Sequence, residues 1–176
     1  MTFKRHSAAV FAISVLVMAL AATAAFGASS HFVKGGSPVC TDIGKQLQCT
    51  AELAGLGGGD VVANVSANGS ATNITCVSPG GNAAPGQNPV LPVSASGSQT
   101  ITNPKNGRAS ISVATDQPTI TAQQAGCPNN NWQVTYSDVS FTTYTLTISQ
   151  SGSVLYTCTG SFGSGSQNGQ TSTPSC

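Results

Sequence analysis

Charge is scarce in this chain, and imidazole is scarcer still. Its 176 residues include six basic side chains, five acidic ones and two histidines. One histidine, His6, falls in an N-terminal segment that reads as an export signal, which leaves His31 alone. The acids are Asp42, Glu52, Asp60, Asp116 and Asp138. Hydrolytic and metal chemistry draws on clustered His, Asp, Glu or Cys, so this poverty argues against an enzyme. No basic cluster is present beyond the signal, which disfavours nucleic acid and anionic membranes as partners. There are no CxxC pairs, as a zinc site would want, and no helical pattern of useful length appears after residue 30. No second apolar run of membrane-spanning length follows the first.

What is present begins with that first run. Lys4, Arg5 and His6 precede an apolar stretch from Ala8 to Ala22, followed by small residues at Ala22-Thr23-Ala24 and Ala25-Phe26-Gly27. This pattern predicts a signal peptide over residues 1–27, cleaved after Ala24 or Gly27. The mature chain then holds four basic residues (Lys34, Lys45, Lys105, Arg108) against five acids, a net charge of −1. Its surface must be built from Ser, Thr, Asn, Gln and Gly, and its length suits one domain with a real core.

All six cysteines (Cys40, Cys49, Cys76, Cys127, Cys158, Cys176) follow the signal. An even count in an exported chain predicts disulfides. Cys40 and Cys49 lie symmetrically about Gly44-Lys45, a two-residue loop with type II′ chemistry. Counting outward, they face each other at a non-hydrogen-bonded position, close enough to be bridged. For the other four, Cys158 with Cys176 would staple a Gly/Ser-rich tail and Cys76 with Cys127 would join distant segments. The competing reading has Cys176 cross-linking to another molecule.

Period-two alternation dominates the rest. Leu47, Cys49, Ala51 and Leu53 share one strand face. Asn68-Gly69 reads as a hairpin turn between strands starting near Val61 and Ala71. Ser78–Pro89 reads as a loop. Short strands are expected near Val90–Ala95, Gln99–Thr102, Ala109–Ala114 and Thr119–Thr121. Val139 and Phe141 are out of phase with Tyr144, Leu146 and Ile148, which predicts a bulge near Thr142-Thr143. Ser151-Gly152 turns the chain into Val154, Tyr156 and Cys158. The fold expected is all-β: one disulfide-stapled, immunoglobulin-like Greek-key sandwich of about seven to nine strands over 28–158. A tail over 159–176 is too poor in apolar residues to fold alone.

The stretch from Gly36 to about Gln150 carries several motifs. They are Gly36-Ser37-Pro38 with Cys40, Leu47-Gln48-Cys49-Thr50, Leu53-Ala54-Gly55-Leu56-Gly57, Asn73-Ile74-Thr75-Cys76, Pro79-Gly80-Gly81-Asn82 with Ala84-Pro85-Gly86-Gln87, and Gly126-Cys127-Pro128-Asn129-Asn130-Asn131-Trp132. In these the chain resembles a family of small exported proteins of actinobacteria and other soil bacteria, largely uncharacterised. The resemblance implies four core cysteines, and so Cys76 paired with Cys127. Cys158 and Cys176 depart from that pattern and are left to each other. It implies no activity.

Candidate sites are few. Cys127 to Trp132 combines a cysteine, three asparagines and the only tryptophan. Amides and an aromatic face bind sugars, which makes Trp132, Asn129, Asn130, Tyr136 and Tyr144 possible ligand contacts. Against this, Trp132 shares its phase with Val134 and Tyr136, which favours the core. His31 lacks the second histidine that a copper site would need and reads as a solvated residue of an N-terminal arm. Gly57-Gly58-Gly59-Asp60 reads as a turn, and the sequons at Asn64, Asn68 and Asn73 as chance in an Asn/Ser/Thr-rich chain. Asp60, Asp116 and Asp138 are expected at strand ends or turns, with nothing in their spacing to pair them. No cofactor is expected. The chain reads as a secreted, non-catalytic structural, adhesive or matrix protein. Its partners would be cell wall or polysaccharide, or further copies of itself. A carbohydrate-binding module is the second reading and a secreted hydrolase the third.

Overall fold

The computed structural model describes residues 29–176. The expected signal peptide and its cleavage points lie outside the described residues. Twelve strands form in chain order: β1 (His31–Phe32), β2 (Val39–Asp42), β3 (Leu47–Ala54), β4 (Val61–Thr72), β5 (Thr75–Val77), β6 (Ala83–Pro85), β7 (Val90–Ile101), β8 (Ala109–Ala114), β9 (Gln133–Thr135), β10 (Asp138–Gln150), β11 (Ser153–Ser161) and β12 (Thr171–Ser172). One four-residue helix, α1 (Ala122–Ala125), precedes β9. All ladders are antiparallel.

Alternation sets the architecture, because each strand has one apolar face to bury. In the first sheet β3 is central, pairing β8 on one side and β2 and β1 on the other, with β12 beyond β2. The second sheet has the order β11-β10-β4-β7. Leu47, Cys49 and Leu53 of β3 and Ile111 and Val113 of β8 share one core with Val61 and Val65 of β4 and Phe141, Leu146 and Ile148 of β10. The central order β2-β3-β8 against β11-β10-β4-β7 is an immunoglobulin-like Greek key, as expected. Nine strands make the sandwich. The count rises to twelve because a small third sheet, β6-β5-β9, forms outside it.

The hairpin at Gly44 forms as read. Gly44 has φ +91, Ile43 N–H donates to Gln46 O at 2.9 Å, and Cys40 stands opposite Cys49 with Cα atoms 4.0 Å apart. Cys76–Cys127 and Cys158–Cys176 are the other bridges. The bulge also forms: Phe141 pairs with Gly69 and Thr143 with Asn68, leaving Thr142 extra.

That bulge explains one correction. Asn68-Gly69 is no turn; β4 runs unbroken through it for 12 residues. A Cβ at Gly69 would sit 2.5 Å from Ser140 O, so glycine is needed for close approach to β10 and not for a turn. Two expected short strands are likewise one, β7, because Ser96 to Ser98 keep register with β4. Thr119–Thr121 is not a strand: Thr121 caps α1 in a reciprocal capping box with Gln124. The segment 159–176 is not a loose tail either. β11 extends to Ser161, Phe162 is buried against the Tyr144 ring (centroids 5.5 Å apart), β12 pairs with β2, and Thr159 bridges Ser175. Too polar to form a core of its own, it packs on the core of the sandwich.

Candidate functional site

The five aromatic and amide candidates are not brought to one surface. Asn129 and Asn130 are exposed in the turn after Cys127, and Asn129 Oδ1 accepts from Asn131 N–H at 3.0 Å. Trp132 is half-buried and packs against the core, so the alternation rightly turned it inward without sealing it. Tyr136, also half-buried, donates its hydroxyl to Pro118 O at 2.6 Å, and the Lys45 ammonium lies 4.9 Å from its ring centre. Burial pushes its phenol above the ordinary value of 10.0. Tyr144 is the clear correction. It lies on the inward face of β10, only 3% exposed, with its hydroxyl on Ser172 Oγ at 2.9 Å. It has no free ring face to offer a sugar. Gly160 of β11 leaves room for this ring, which a Cβ there would strike.

The most regular surface feature is the outer face of the second sheet. Four strands present short, uncharged polar side chains in register. One rank across the sheet is Ser98, Asn64, Thr147 and Thr157. The next is Ser96, Ser66, Thr145 and Thr159. A third is Ser94, Asn68, Thr143 and Ser161. Most of these side chains are exposed and the rest half-buried. The bulge at Thr142 puts Thr143, Thr145 and Thr147 on this face, while Tyr144, Leu146 and Ile148 face inward. Ser94 Oγ donates to Asn68 Oδ1 at 2.7 Å, a cross-strand bond that holds both side chains in place. The alternation of Ser, Thr and Asn was visible in each strand separately. What sequence reasoning lacked was which strands are neighbours.

A second missed feature joins Asp42 to Asp138. Asp42 is fully buried at the end of β2, where it accepts from Gly44 N–H at 2.8 Å and from the Ser166 hydroxyl. Ser166 Oγ in turn accepts from Phe141 N–H at 2.7 Å. Asp138 opens β10, and its Oδ1 is buried without a hydrogen-bond partner. Burial raises the Asp42 carboxyl above its ordinary 3.8; the Asp138 carboxylate adds to this, and the bonds from Ser166 and Gly44 oppose it. The native state therefore binds this proton more tightly than the unfolded chain does. Its stabilising effect is complete below about pH 3.8 and is lost as pH rises through the raised native value. Asp138→Asn removes the like charge, so relative to wild type it should gain stability at neutral pH and less in acid. Urea unfolding of both proteins across that range checks this; equal pH dependence in the two would refute it.

Neither of two cavities, of about 220 and 270 Å³, is lined by Asp42, Asp138, Trp132 or Tyr136. Exposed His31 points Nδ1 at Ser29 O, 3.0 Å away. Among the described residues no group of three or more His, Cys, Asp or Glu is placed to hold a metal, and no helix is long and apolar enough to cross a membrane. No family model matches the chain, and no curated protein matches it significantly.

Proposed function

We propose that the mature protein is an exported, non-catalytic β-sandwich that works by surface contact, as a structural, adhesive or matrix component, and that it belongs with the small exported proteins of soil bacteria that its motifs resemble. The observation that carries this reading is the uncharged face of β7, β4, β10 and β11, twelve Ser, Thr and Asn side chains in three aligned ranks. Such a face hydrates well, offers many weak hydrogen bonds and holds no nucleophile activated by a neighbouring base. Three disulfides suit a protein held in an oxidising compartment, where strand edges must stay paired without chaperones.

A carbohydrate-binding module using Trp132 with Asn129 and Asn130 is the second reading. Trp132 is only partly covered there, and the Asn129 and Asn130 side chains are exposed beside it. With Tyr144 withdrawn into the core, that surface offers only one or two aromatic contacts.

The test is fractionation of cultures that secrete the protein. The expected result is that it co-sediments with wall or matrix material and is released without change to that material. Full recovery as a free monomer at all concentrations would remove the reading.

A further inference from the structure

The three ranks form a small two-dimensional lattice. Neighbouring strands are about 4.8 Å apart and alternate residues about 6.8 Å apart along a strand, so the outermost Cα positions span about 14 Å each way. Sheet twist turns the outer strands away, leaving β4 and β10 as the part that meets a broad partner most closely. Ser, Thr and Asn are short, so few rotamers are lost on contact. No rank contains a Lys, Arg, Asp or Glu. No rank contains an aromatic ring.

Each feature narrows the partner. Without charge, the face has no long-range attraction for an ionic polymer. Without aromatics, it cannot stack on a single sugar ring as a binding cleft does. A neutral hydrogen bond exchanged with water nets only about 1 kcal/mol. One soluble hydroxyl compound therefore gains almost nothing here after losing its freedom of motion. A rigid solid that presents hydroxyls over the same area is different, because many weak bonds then form for one loss of freedom.

We propose that this face docks on the ordered surface of an insoluble, neutral polysaccharide. The inference rests on the surface-contact reading and adds the partner's chemical class to it. The contact is made by hydroxyl and amide groups on β4 and β10, with β7 and β11 as its margins. It persists in high salt, since no ion pairs are involved.

The experiment is retention of the disulfide-bonded mature protein on microcrystalline cellulose and on chitin particles. Wild type is expected to be retained equally in low salt and in molar sodium chloride, with millimolar soluble oligosaccharide of the same sugar failing to release it. Thr145→Lys, which puts a long charged side chain in the central rank, should lower retention about tenfold, equivalent to roughly 1.4 kcal/mol. Thr145→Val preserves β-propensity and exchanges the hydroxyl for a methyl group of similar size, so it guards against misfolding and should weaken retention less. Thr50→Lys, on the exposed face of β3 in the other sheet, should change nothing. Equal retention of Thr145→Lys and wild type would overturn the proposal, as would release by the soluble oligosaccharide. Co-sedimentation with native wall material but not with either polysaccharide would also overturn it, leaving the surface-contact reading standing. Failure on wall and polysaccharide alike would remove both. Shaping of growing ice crystals without polysaccharide retention would assign the lattice to ice and overturn it too.

Discussion

Replacing Cys76 and Cys127 together with serine should lower the unfolding free energy by about 4 kcal/mol, the value that loop-closure entropy assigns to a ring this long. The two residues are 51 apart, against 9 for Cys40–Cys49 and 18 for Cys158–Cys176, so this bridge restricts the unfolded chain most. Its native anchorage is also thin. Cys76 is the middle residue of three-residue β5, and Cys127 follows α1, too short a helix to hold itself. The expected result is therefore global destabilisation together with local loosening of β5, β6 and β9. Guanidinium unfolding followed by Trp132 fluorescence reads both, because the tryptophan immediately precedes β9. A loss below about 1 kcal/mol would show that the small sheet and α1 are held by their own packing. The Cys40–Cys49 pair, closing a far shorter ring, should cost less.

Phe141→Ala is expected to cost about 3–5 kcal/mol, among the largest single substitutions this chain can suffer. Phe141 is fully buried and heads the largest buried side chains. It stands immediately before the bulged Thr142, and its backbone N–H and C=O both bond Ser166, at 2.7 Å each. A cavity there lies beside the point where the C-terminal segment docks, so it should also loosen Ser166 and the Asp42 carboxyl that Ser166 holds. Phe141→Leu keeps most of the volume and should cost no more than about 1.5 kcal/mol. Equilibrium unfolding of both, with disulfides intact, gives the comparison. Small losses in both would mean that the backbone bonds to Ser166, not the ring, hold this corner.

Much of the fold was legible because its signals are local. The Gly44 hairpin needs only a positive φ and symmetric flanks, and those four residues on either side also determine the Cys40–Cys49 register. The bulge at Thr142 is a change of phase within one strand, visible at Val139, Phe141 and Tyr144. Asn68-Gly69 misled because Asn-Gly is a strong local turn signal. The pairing of β4 with both β10 and β7 along its whole length overrode it. The tail misled for the opposite reason: its composition gives little to bury, yet Phe162, Ser166 and the Cys158–Cys176 bridge are enough once a core exists to receive them.

By itself the sequence determined an all-β chain, the period-two faces, the near absence of charge and the bridge at the first hairpin. The tertiary structure alone decided that Asp42 is buried within reach of the Asp138 charge, that Tyr144 is buried while Trp132 is only half so, and that four separate Ser/Thr/Asn strands lie side by side as one lattice. The division has a physical cause. Side-chain alternation and turn conformation are settled within a few residues, whereas strand neighbours and register are set by burial summed over whole sheets.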